Sequence, residues 1–241
     1  MVSSTPSTES SRSDSSSCSR DVKQLKAQLL QAVSRCNNPQ PGDNQLQLEQ
    51  DVEGLAVELA AANPTPDAAL SPLLLGSWAL LFSGRSRRLA SASAFPASGT
   101  GPSLQQALQA ASDSLYSLFY ANVPVLAGSA VGAGRRSSAS NTQVLSAGRV
   151  DNIVETTRGL PLRLCVSGSV EAVRPGTGDG PTSCVAVRFD RFTAKVAQLP
   201  EAAASLALLK PVGYLDTPFL DSDLRVSVGD KGGLFVLRRV Q

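Results

Sequence analysis

Residues 221–225, Asp-Ser-Asp-Leu-Arg, set two carboxylates two positions apart with a guanidinium two positions further on. Paired carboxylates can run acid–base chemistry when their surroundings split their pKa values. The same residues ahead of a strand also make an ordinary turn, in which Asp caps the backbone and Arg225 pairs with Asp221 or Asp223. No second catalytic cluster accompanies them, so the turn and ion pair is the stronger reading. Asp151 and Glu155 are read the same way. The chain contains no histidine. That removes Ser-His-Asp and Cys-His nucleophiles, histidine metal sites and histidine acid–base catalysis together. Of the four cysteines, Cys165 and Cys184 fall inside expected strands, where packing as small hydrophobes outweighs a redox pair. Cys36 lies in a helical stretch and only Cys18 reads as exposed. No spacing suits a structural zinc site. The residues therefore assign no catalytic group, no metal and no cofactor, and the chain reads as a non-enzyme.

Partners are bounded by charge. The 22 basic and 20 acidic residues leave a net +2, no field for recruiting nucleic acid. The cluster Arg85, Arg87 and Arg88 reads as a solvated loop in preference to a phosphate or headgroup contact. The Gly/Ser/Ala-rich segment 127–141 lacks the spacing of a phosphate-binding loop. No window reaches the roughly 18 apolar residues of a membrane-spanning helix, so the protein reads as soluble or peripheral.

The elements that must position any site follow from periodicity. Half of residues 1–20 are serine. This segment reads as a disordered tail, with a plastid-type transit segment as an equal alternative. Residues 21–62 form a helical pair: Val22, Leu25, Leu29, Ala32 and Val33 recur at helical spacing, then Leu48, Val52, Leu55 and Leu59. Pro64 and Pro66 stop the second helix. From residue 63 to 241 the pattern is mostly of period two. The exceptions are a loop over 84–103, a helix over 104–118 and the segment 127–141. A phase slip predicts a bulge near Asp190 and Arg191, and the chain closes in a hairpin through Gly-Asp-Lys-Gly-Gly. The fold class is mostly β with flanking helices: an antiparallel β-barrel preceded by the helical pair, which lies against it or over one mouth.

Trp78, the sole tryptophan, follows Gly76 by two residues at the head of a strand. This Gly-x-Trp, with Arg238 and Arg239 on the last strand, resembles the lipocalin arrangement. There a tryptophan plugs one end of the barrel and an arginine packs on its ring. Gly76, Trp78, Arg238 and Arg239 are thus a structural lock, and alternation allows only one of the two arginines to share it.

A wider resemblance rests on the segments 63–82, Val150–Glu155 and 213–237. Together they resemble the plastid lipid-associated protein family, the fibrillins or plastoglobulins, in order over about residues 22–239. The resemblance implies a lipocalin-like barrel in the plastid, at plastoglobules or the thylakoid membrane. It also implies binding or organising of hydrophobic molecules such as prenylquinones, carotenoids and acyl lipids. The alternatives are an adaptor for a prenyl-lipid biosynthetic enzyme and, more remotely, an enzyme acting on a lipid. Where the family usually carries Tyr-Thr, this chain has Phe82 and Ser83, and Val228 replaces a frequent basic residue. If the barrel carries lipid, Phe82, Val166, Val187, Phe189, Val226 and Phe235 are the expected lining, given one choice of inward face per strand.

Overall fold

The computed structural model describes residues 14–93, 95–96, 139–156, 161–174, 180–206 and 212–240. The helix expected over 104–118 and nearly all of the segment 127–141 lie outside them. Helix α1 spans Asp14–Asn37 and α2 spans Gln45–Ala61. α1 begins inside the stretch read as tail, because a helix once nucleated extends through residues of middling propensity such as serine. α2 starts where the Asn44 side chain accepts from the backbone N–H of Leu46 and Gln47, two donors that the helix itself leaves free. Two short 3₁₀ turns, Ala68–Leu70 and Pro72–Leu74, then lead into the sheet.

Among the described residues nine strands follow: β1 (Gly76–Arg85), β2 (Ala139–Ser146), β3 (Arg149–Thr156), β4 (Leu162–Val173), β5 (Cys184–Val196), β6 (Ala202–Ser205), β7 (Val212–Leu220), β8 (Leu224–Gly229) and β9 (Gly233–Arg239). All pairings are antiparallel. The order β4-β3-β2-β1-β9-β8-β7-β5 closes on itself through β4–β5, a ring of eight strands, with β6 added on the edge of β5. Between β1 and β2 stands α3, Arg87–Ala92, capped by the Ser86 hydroxyl accepting from Leu89. The sequence expectation of a loop there fails because six residues carry too little periodicity to reveal a helix.

The expected slip in β5 is present. Ser167 pairs Arg191 and Gly168 pairs Phe189, so Asp190 is the extra residue. A second bulge, in β1, has no sequence signal. Leu80 pairs Leu237 while Phe82 pairs Val236, so Leu81 is extra and the side-chain phase reverses beyond it. Asn37, at the end of α1, donates its amide to the Leu81 carbonyl at 2.9 Å.

Two cores result, one on each side of the sheet. The outer core joins Leu29, Val33, Leu48, Val52 and Leu59 of the helices to Phe82, Phe219, Leu224, Val226, Val228, Leu234 and Val236. The helical pair therefore lies on the outside of β1, β7, β8 and β9. The inner core joins Trp78 to Leu74, Leu145, Val150, Val185, Val187, Leu220 and Leu237. All six residues of β8 are buried, since helices cover one face and the ring interior the other.

Candidate functional site

The closed end of the ring is built around Trp78, which is fully buried. Its indole N–H donates to the Leu74 carbonyl at 2.9 Å. The Arg239 guanidinium lies 4.3 Å from the centre of the ring. Every nitrogen of that guanidinium has an acceptor: Nε donates to Ser222 O at 2.7 Å, Nη1 to Leu75 O at 2.8 Å, and Nη2 to Leu73 O. Gly76 has a φ of +123°, and a Cβ there would stand 2.5 Å from Arg239 Nη1. Glycine at this position thus clears the path of the arginine. Of the two candidate partners, Arg239 holds the indole. Arg238 points to the opposite side of β9 and is exposed, as strand alternation requires.

A second guanidinium, which the sequence reading placed in the turn at Asp221 and Asp223, also sits over Trp78. Arg225 is 1% exposed, 5.1 Å from the ring centre. Its Nη2 donates to Gln143 Oε1, and Gln143 in turn donates to Asn152 Oδ1 at 2.8 Å. Among the described residues its Nε and Nη1 have no hydrogen-bond partner. Among the described residues no ion pair joins it to a carboxylate. Burial, then the nearby charge of Arg239, lowers its pKa to about 9. At neutral pH it is still a cation, and an uncompensated one.

The expected pairing of Arg225 with Asp221 or Asp223 is therefore corrected. Lys26 of α1 takes both carboxylates, at 2.6 Å for Asp221. Asp221 Oδ1 also accepts from the backbone N–H of Asp223 and Leu224, which makes the turn. Arg225 points the other way because residues 224 and 225 begin a strand, and alternation turns the guanidinium into the ring.

That guanidinium lines a cavity inside the ring of about 80 Å³. Every ring strand except β4 contributes to the wall. Arg225, Gln143, Asn152, Asn141 and Ser227 supply polar wall, Leu80, Val187, Phe189, Leu215, Phe235 and Leu237 apolar wall, and Tyr214, Asp230 and Lys231 stand by the β8–β9 turn. Three residues of the expected lining, Val187, Phe189 and Phe235, are on this wall. Val166 is buried and pairs with Asn152, which puts it on the same side of the sheet, but it does not reach the cavity. Phe82 and Val226 lie in the outer core under the helices. The bulge at Leu81 turns Phe82 outward. In β8 the apolar set Leu224, Val226 and Val228 faces the helices, leaving Arg225 and Ser227 for the interior.

Cys165 and Cys184 are free thiols at different ends of the β4–β5 pair. Burial pushes Cys184 up to about 12 and Cys36 up to about 11, so neither is a ready nucleophile. The side chain of Cys18 lies outside the described residues. Glu155 faces Arg163 across the β3–β4 pair, an exposed ion pair at 3.4 Å. Asp151 lies on β3 opposite Ser167.

Comparison with known proteins bears on the whole chain. The family model PAP_fibrillin matches residues 23–238. No curated protein and no solved structure matches.

Proposed function

Since the chain belongs to the PAP_fibrillin family of plastid lipid-associated proteins, we propose that it is a non-enzymatic binder of hydrophobic molecules that works at plastoglobules or thylakoid membranes. The observation that carries this reading is the cavity inside the ring, with a largely apolar wall and a polar cluster at Arg225, Gln143 and Asn152. Its size discriminates among ligands. About 80 Å³ is room for roughly half a dozen waters at ~10–15 Å³ each. A headgroup and the first carbons of a chain fit that space, whereas a whole carotenoid does not. Acyl lipids, or the end of a prenylquinone, are the better match, with the rest of the molecule leaving through the mouth.

The test is mass spectrometry of lipids that co-purify with plastid-derived protein. A stoichiometric acyl or prenyl lipid, lost on Val187→Trp, is the expected result. Protein that carries no lipid yet still binds lipid droplets would retire the cavity and leave a surface coat protein.

A second, compatible reading concerns the outside of the closed end. Leu70, Leu73 and Leu75 are 57%, 38% and 42% exposed, and Val240 is 45% exposed beside them. Arg239 holds the carbonyls of Leu73 and Leu75, and Val240 N donates to Ser77 O at 2.9 Å. A cluster of rigidly held, exposed leucines favours peripheral contact with a lipid surface. Flotation with triacylglycerol droplets checks it: Leu73→Asp with Leu75→Asp reduces the floating fraction if this end docks.

A further inference from the structure

We propose that the cavity is selective for single-chain lipids ending in a carboxylate, and that Arg225 is the residue that reads the head. This rests on the reading of the cavity as a lipid site and names the class of its ligand.

The comparison of the two arginines on Trp78 carries the argument. Arg239 meets three backbone carbonyls and the indole, so the fold alone satisfies it. Arg225 meets one amide oxygen and the same indole, with two nitrogens left unpaired at 1% exposure. A buried cation with only one of its three nitrogens hydrogen-bonded and no counter-charge is unfavourable. Arg225 also lines the cavity, and the groups beside it there, Gln143, Asn152 and Ser227, are neutral. The acceptor that the described residues do not supply is therefore sought in a ligand.

The charge and the space define its chemistry. One guanidinium matches one carboxylate in a two-bond contact. A phosphate head would bring more charge and bulk than one arginine and about 80 Å³ accommodate. The same cavity is lined by Leu80, Val187, Phe189 and Phe235, apolar wall that suits the methylenes next to a carboxyl group. An alcohol or a quinone carbonyl would leave the cation uncompensated.

The experiment uses the full chain stripped of lipid, in equilibrium dialysis against labelled oleate, oleyl alcohol, methyl oleate and a decyl-quinone, each below its aggregation threshold. Emission of Trp78, the sole tryptophan, reports whether the ligand reaches Arg225. The wild-type protein is expected to hold oleate at least tenfold tighter than the three uncharged ligands, with a change in Trp78 emission. In Arg225→Met that ratio collapses to about one. Equal affinity for oleate and the alcohol in the wild type would overturn the proposal while leaving the lipid cavity standing. So would an oleate preference that survives Arg225→Met. Failure to hold any of the four ligands would overturn the cavity reading and this one together. If Arg225→Met does not fold, the wild-type comparison of acid, ester and alcohol with the emission readout still decides.

Discussion

At the scale of single residues, Trp78 and its two arginines divide structure from recognition. Trp78 is fully buried at the hub of the inner core, so Trp78→Ala should destabilise by roughly 3–5 kcal/mol in equilibrium denaturation. A double-mutant cycle with Arg239 should show coupling of about 1–2 kcal/mol, and one with Arg238 none beyond ~0.5 kcal/mol. Arg225 behaves oppositely. Replacing a buried, uncompensated charge by an apolar side chain of similar length relieves desolvation, so Arg225→Met should raise stability by ~1–4 kcal/mol. A loss of stability on that substitution would mean that Arg225 is a second lock. Its titration gives a separate check. The folded-state pKa of about 9 lies below that of the free group, so the unfolded chain binds more protons between the two. Stability contributed by this group therefore rises with pH across that window, and Arg225→Met should lack the rise. The sequence led to Trp78 and to an arginine on the last strand, because Gly-x-Trp and strand alternation are local signals. Arg225 was hidden by its neighbours: beside Asp221 and Asp223 it looks like half of an ion pair. The signal that could have found it is the alternation of Arg225 and Ser227 against Leu224, Val226 and Val228.

At the scale of elements, contacts between distant segments decided what periodicity could not. Strands β2 to β5, the β5 bulge and the terminal hairpin were legible, since their patterns are long and their turns marked by glycine, as at Gly148 and Gly232 with positive φ. The face of each strand was not legible where helices cover the sheet. In β8 the more apolar face belongs to the helical core, and the cavity receives the polar one. The bulge at Leu81 likewise depends on Asn37 from α1 taking its carbonyl, a contact 44 residues apart in sequence. Helix α1 is pinned to the turn before β8 by Lys26. Burial opposes the charge on Lys26, but its hydrogen bonds to Asp221 and Asp223 outweigh this and raise its pKa. Burial likewise opposes the charge on Asp223, and Lys26 overrides it to lower that pKa. A lowered carboxylate pKa gives stability that is present above the unfolded value of about 3.9 and lost as pH falls through the folded value. Lys26→Gln should therefore cost about 1 kcal/mol at pH 6, the range of a partly exposed ion pair. The two proteins should converge in denaturation midpoint as pH falls through the lowered folded-state pKa of Asp223, where that carboxylate is protonated. A difference that persists in acid would assign the effect of Lys26 to packing.

At the scale of the molecule, the ring and the helical pair share one buried core, although the sequence reads as two segments laid end to end. Seven of the fifteen buried residues of the outer core, Leu29, Val33, Cys36, Leu48, Val52, Ala56 and Leu59, come from α1 and α2. The strand residues they cover include Phe82, Phe219, Val226 and Val236, all nearly or fully buried. Without the helices those side chains form one continuous apolar face on β1, β7, β8 and β9, larger than a soluble protein tolerates. The inner core cannot compensate, because part of the ring interior is cavity and its wall includes the Arg225 guanidinium. The architecture thus splits its stabilising apolar contacts between the outer core under the helices and the inner core around Trp78, which shares the ring interior with the cavity. Deletion of residues 14–62 should accordingly abolish cooperative unfolding and give a species that binds apolar dyes or aggregates. A fragment 63–241 that unfolds with a sharp transition, near the midpoint of the full chain, would show that the ring supports itself. The helices would then be an appendage and not half of its core.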